Sequence, residues 1–105
     1  MGVLVICSYK PKPGREAAMK ALVSRHLPTL RAAGLVTERE GAVGESADGA
    51  IVELFEWASA EKSRNALAVP SVAALWKEMS EASDFVPLAS LKEAQRAFAH
   101  FTPLA

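Results

Sequence analysis

Five consecutive apolar residues, Val3-Leu4-Val5-Ile6-Cys7, set the strongest constraint on what this chain can fold into. The run is rich in β-branched side chains and ends before Pro11 and Pro13, so it reads as a strand. It lacks the polar alternation of a strand with one wet face, which predicts burial on both faces. Such a strand needs helices over one side of its sheet and some other cover over the opposite side.

The helices are legible downstream. From Arg15 to Ala33 the apolar positions Met19, Leu22, Val23, His26, Leu27 and Leu30 form one stripe of an amphipathic helix. Pro28 cannot donate to the carbonyl of Ser24, which predicts a kink or looser turn over His26 to Leu30 before Gly34 ends the helix. Leu35 to Val43 and Ala50 to Trp57 read as two antiparallel strands around a polar turn whose Asp48-Gly49 pair is a hairpin signal. Ser59 reads as an N-cap, with Glu61 in the first turn of a helix starting near Ala60. Pro70 stops or bends that helix and suits the first position of the next, where Val72, Leu75, Trp76 and Met79 recur at helical spacing. Asp84 to Pro87 reads as a break, Ser90-Leu91-Lys92-Glu93 as a capping box opening a further short helix, and Ala97 to Thr102 as the last strand. The order is βαββαβ with a helical insertion before the last strand. That is an α+β, ferredoxin-like domain with an antiparallel sheet.

At 105 residues, one domain spanning 1–105 is expected. Twelve Lys and Arg balance twelve Asp and Glu, which supplies no net field for nucleic acid or for an anionic membrane surface. The single cysteine, Cys7, cannot form an internal disulfide, and one cysteine with two histidines is a poor zinc set. The apolar stretch at the start is far too short for a signal or spanning segment. The expectation is a soluble, cytoplasmic protein with no metal. Because neither face of the sheet is patterned for water, a second copy is the simplest cover, and a homodimer follows as a further expectation.

Several short motifs, in order, carry a resemblance. They are Lys12-Pro13-Gly14-Arg15-Glu16, His26-Leu27-Pro28-Thr29-Leu30-Arg31, Val52 to Glu61 with its Glu56-Trp57-Ala58-Ser59 centre, Pro70 to Trp76, Phe85-Val86-Pro87-Leu88, and Phe98 to Leu104. In these the chain resembles the antibiotic-biosynthesis-monooxygenase-like domains of the dimeric α+β barrel superfamily. The resemblance implies a homodimer whose two sheets form one barrel, with a small cavity in each subunit between sheet and helices. It also implies monooxygenase-like handling of a small aromatic or quinone-like metabolite, without metal, flavin or haem as cofactor. Two departures bear on chemistry. Several enzymes of the superfamily carry a histidine in an Ala-His pair ten residues beyond the strand-three tryptophan, where this chain has Ala66-Leu67. Haem-degrading members have an asparagine near the end of strand one, where this chain offers Cys7. Leu67 can neither ligate iron nor accept a proton, so haem breakdown is disfavoured. The same scaffold hosts unrelated functions, so a non-catalytic ligand-binding or structural dimer is the alternative.

Cofactor-free oxygenation needs a dry aromatic pocket, a base, and donors for a developing anion. By resemblance Trp57 lines the pocket, although a core tryptophan would sit equally well at the end of that strand. His26, on the apolar stripe beside Pro28, is the candidate base, against the plain reading of a satisfied core histidine. Phe55, Tyr9 and Trp76 are candidate substrate-binding aromatics, with Trp76 also fitting a core stripe. His100 is a further candidate, on the last strand, with its face undetermined. Arg25 or Arg31 would hold an anion only if turned inward. Glu53 and Glu56, charges on a covered strand, must be paired or lie at an interface, with Arg39 as a cross-strand partner. A dimer-interface ion pair is the reading preferred for them over a catalytic carboxylate.

Overall fold

The computed structural model describes residues 2–104. Strand β1 (Val3–Pro11) leads to helix α1 (Glu16–Ala32), and β2 (Ala42–Glu45) and β3 (Ile51–Trp57) form a hairpin. Helix α2 (Ala60–Arg64), a single 3-10 turn and helix α3 (Pro70–Ala82) follow, then β4 (Ser83–Phe85), two more 3-10 turns, and β5 (Thr102–Pro103). The sheet order is β4-β1-β3-β2-β5, with every pairing antiparallel. The first four strands have the ferredoxin-like arrangement, with α1 and α3 on one face.

Local chemistry explains most boundaries. Ser59 caps α2 by accepting the Lys62 N–H at 3.1 Å, and Pro70 opens α3, where its missing N–H is not needed. Helix α1 runs through Pro28 without a break. The looser turn expected there is absent, because the stripe Met19, Leu22, Val23, His26 and Leu30 is buried on both sides of the proline and packing holds the helix together. In the β2–β3 turn Gly49 adopts φ +91°, while Asp48 accepts the Ala50 N–H at 3.1 Å and a bond from the Ser46 hydroxyl. Those bonds, Ser46 first, hold the Asp48 carboxyl below its ordinary range.

Three expectations are corrected at the edges. The strand that closes the four-stranded core is Ser83–Phe85, pairing Tyr9 with Phe85, and not the segment 97–102. The C-terminal strand is only Thr102–Pro103 and adds a fifth position beside β2, which Gly44 permits because a Cβ there would lie 2.9 Å from the Cβ of Phe101. The capping box at Ser90 does not form. Glu93 instead accepts the Ala47 N–H at 2.9 Å and ties the 3-10 turns to the hairpin.

Period-two alternation sorts the sheet into two faces. Tyr9, Ile51, Glu53, Phe55 and Trp57 turn toward the helices and are buried with Met19, Leu30, Val72 and Met79. The opposite face is partly covered where Leu91 packs on Ala50 and Val52. Its remainder is bare: Leu4 is 61% exposed, Ile6 50% and Leu54 37%, with Ile6 and Leu54 paired across β1 and β3. Within one chain, strand β1 is therefore not buried on both faces. Leu35 to Val43 is also not one strand, since only Ala42–Glu45 pairs as β2 and Val36 makes an isolated bridge to Trp57.

The hairpin turn yields a stability prediction. Gly49→Ala places an L side chain at positive φ and should cost about 1–2 kcal/mol in urea unfolding, with no change in the far-ultraviolet dichroism of the folded protein.

Candidate functional site

Four elements each supply one polar side chain to a continuous buried chain of hydrogen bonds. Tyr9 from β1 donates its O–H to Glu53 Oε1 at 2.8 Å, and His26 Nδ1 from α1 lies 2.8 Å from the same oxygen. On the far side of the imidazole, Trp76 from α3 donates its indole N–H to His26 Nε2 at 2.8 Å. Indole nitrogen is only ever a donor, so Nε2 is the acceptor. The proton of this neutral imidazole therefore sits on Nδ1 and points to Glu53. An imidazolium would set two N–H groups against each other at Trp76. His26 and Glu53 are each 2% exposed, so the carboxylate is held away from water by two donors rather than by a cation.

Aromatic rings pack around this chain, edge to face except for the tilted His26–Trp76 pair. The His26 ring lies 5.5 Å from Phe55 and 6.2 Å from Trp76, and Trp57 lies 5.2 Å from Phe55 and 6.3 Å from Trp76. Beside them opens a cavity of about 430 Å³, bounded by Cys7, Tyr9, His26, Phe55, Trp57 and Trp76, with Phe85 to Leu88 at the rim. That volume suits a small aromatic molecule. The cavity exists because β4 covers only Tyr9–Pro11, leaving the first part of β1 without a strand on that side.

The structure gathers five of the six expected site residues around this one space: His26, Trp57, Phe55, Tyr9 and Trp76. His100 is elsewhere, exposed in the irregular segment before β5. Arg25 pairs with Glu78 at 3.8 Å, and Arg31 donates to the Arg39 carbonyl at 2.7 Å, so neither turns into the cavity. Arg39 does pair with Glu56, at 3.1 Å, and Thr37 donates to the same carboxylate. These bonds, Thr37 first, hold the Glu56 carboxyl below its usual range. Glu53 is the residue misassigned by sequence reasoning. Its partners are Tyr9 and His26 within the chain, and it is not an interface ion pair. Among the described residues no cluster of three or more His, Cys, Asp or Glu is placed to hold a metal ion. No helix of the described residues is long and apolar enough to cross a membrane.

Burial sets the state of the two other acids. It pushes the Cys7 thiol up to about 11, helped by the nearby Glu53 charge. Burial first, and then the same charge, push the Tyr9 phenol above its ordinary value. Both groups keep their protons at neutral pH.

No protein-family profile matches the chain, and no curated protein matches it. Among solved structures, Rv0793 from Mycobacterium tuberculosis is similar, with a TM-score of 0.62 and 26% sequence identity over 83% of this chain and 87% of that one.

Two outcomes follow from the geometry. Glu53→Gln keeps an oxygen for both donors but exchanges a charged acceptor for a weaker neutral one and buries an amide NH2 in place of Oε2, which should cost about 1–3 kcal/mol in denaturant unfolding at pH 7, and Glu53→Leu, which leaves both donors without an acceptor, should cost more. The folded Cys7 thiol lies above its reference value of 9.0, so its contribution to stability is complete below pH 9 and is lost as pH rises through about 11. Tyr9 adds to that alkaline loss only above pH 10, its ordinary value. At pH 8 iodoacetamide should alkylate native Cys7 roughly a hundredfold more slowly than the unfolded chain, by thiolate fraction alone.

Proposed function

We propose that the cavity binds a small aromatic or quinone-like molecule and presents it to dioxygen, a monooxygenase-like reaction without metal, flavin or haem. The observation that carries this reading is an imidazole of an aromatic-lined cavity whose proton is fixed on Nδ1 by Glu53, leaving Nε2 as an acceptor that bonds Trp76, another residue of the lining. The resemblance to antibiotic-biosynthesis-monooxygenase-like domains supports it, as does the meeting of His26, Trp57, Phe55, Tyr9 and Trp76.

A bound phenol takes the place of the Trp76 indole N–H and passes its proton to Nε2. The imidazolium that forms is stabilised by the Glu53 carboxylate against Nδ1. The phenolate gives an electron to dioxygen, and the resulting superoxide and aryloxyl radical join in a new C–O bond. Loss of water completes the reaction, with one oxygen atom in the quinone product and the other in water. The phenol loses four electrons and dioxygen gains four.

A second reading rests on one feature of the same site. Both His26 nitrogens are already bonded within the chain, so the ring meets a ligand only when Trp76 turns away. On that reading the protein binds the aromatic molecule without transforming it. A thermal-shift screen of phenols, anthrones, quinones and haem, followed by oxygen-electrode measurements on the hits, separates the two. The catalytic reading expects stabilisation by phenols or quinols, oxygen consumption with the same compounds, and a loss of at least about a hundredfold in rate in His26→Ala. Binding with no oxygen uptake selects the second reading, and no stabilisation across the panel removes both.

We also propose a homodimer joined through the bare sheet face. Exposed Leu4, Ile6 and Leu54 support it, as does a second apolar cavity of about 430 Å³ bounded there by Ile6, Val52, Leu54, Leu88 and Phe101. Sedimentation at micromolar concentration should give a dimer, and Ile6→Glu combined with Leu54→Glu should give a folded monomer. A native monomer contradicts this part.

A further inference from the structure

We infer that the cavity beside His26 discriminates by charge, taking neutral hydroxylated aromatics and rejecting aromatic carboxylates of the same size. The inference rests on the reading of that cavity as an aromatic-binding site and adds what the ligand must carry. It follows from where the donors of the site point. The Tyr9 O–H and the His26 Nδ1–H both turn inward, to the same oxygen of Glu53. What the imidazole leaves free of Glu53 is an acceptor, Nε2, which here receives the N–H of Trp76, itself a residue of the cavity lining. A ligand hydroxyl replaces that donor like for like, whereas a ligand carboxylate brings lone pairs to a lone pair.

The surroundings act in the same direction. Among the described residues no lysine or arginine bounds the cavity. Arg25 and Arg31 are held elsewhere, by Glu78 and by the Arg39 carbonyl. Behind the wall lies the Glu53 carboxylate, buried and, among the described residues, bonded by Tyr9 and His26 with no lysine or arginine, so its field in the cavity repels a second anion. Phe55, Trp57 and Phe85 offer ring faces and apolar surface in place of the water that a carboxylate would have to shed. Glu53 is thus a specificity-determining residue that acts through His26 and touches no ligand itself.

The test is calorimetric titration of the native protein with 2-naphthol and with 2-naphthoate at pH 8, above the ordinary imidazole range. Seating in this cavity is read from protection of Cys7 against alkylation. The expected result is 2-naphthol binding at least tenfold more tightly than 2-naphthoate. Glu53→Gln, which removes the buried charge, should narrow that ratio at least threefold. If that variant does not fold, Trp76→Phe decides: removing the competing indole donor should tighten 2-naphthol and leave 2-naphthoate unchanged. Equal binding of the two compounds, or tighter 2-naphthoate, overturns the charge selection while leaving an aromatic site in place. Protection of Cys7 by neither compound overturns the aromatic site, and the selection with it.

Discussion

A carboxylate on the covered face of a sheet is the constraint to which the rest of this structure answers. Glu53 lies between Ile51 and Phe55 on β3, under the helices, where an ionised group without partners would be prohibitively costly. Its solution recruits one side chain from β1 and one from α1, and the imidazole in turn fixes the indole of α3. The four elements that form the core are therefore joined by one polar chain as well as by apolar contact. Such a chain adds little net stability compared with a well-packed apolar core, yet it specifies register, because a slip of one residue on β3 would send Glu53 to the opposite face.

The same chain defines the chemistry available at the cavity. Both polar hydrogens nearest the carboxylate are committed to it, which leaves the imidazole one acceptor atom, Nε2, held by Trp76. In the proposed reaction such an imidazole would have a counter-charge beside the proton it accepts, and its proton-bearing nitrogen cannot exchange roles with the other without breaking the bond to Glu53. The aromatic rings around it supply apolar walls. Cavity shape, base and charge field thus come from one arrangement rather than from separate features.

Much of this was legible before any coordinates. The apolar stripe of α1 placed His26 inward, and the stripe of α3 did the same for Trp76, so the meeting of two helices on one sheet face was enough to bring them together. The place of Glu53 is legible too, in strand parity: it shares the parity of Ile51, Phe55 and Trp57, while Glu56 shares that of Val52 and Leu54. The two glutamates therefore belong to opposite faces and have different partners. What the sequence could not show were β4 and β5, because strands of three and two residues carry no periodicity, and a polar Asp84 and a proline at sheet edges look like breaks. The helical run through Pro28 was also hidden, since its cost is met by tertiary packing and not by local propensity.

The proposed site depends on the protonation pattern of the buried chain, and nitrogen-15 NMR of the His26 imidazole measures that pattern. At pH 7 the expected spectrum is that of a neutral ring with the proton on Nδ1 and an unprotonated Nε2 whose signal changes when Trp76 is replaced by Phe. A ring protonated on both nitrogens, or a neutral ring with its proton on Nε2, would contradict the arrangement on which the proposed site depends.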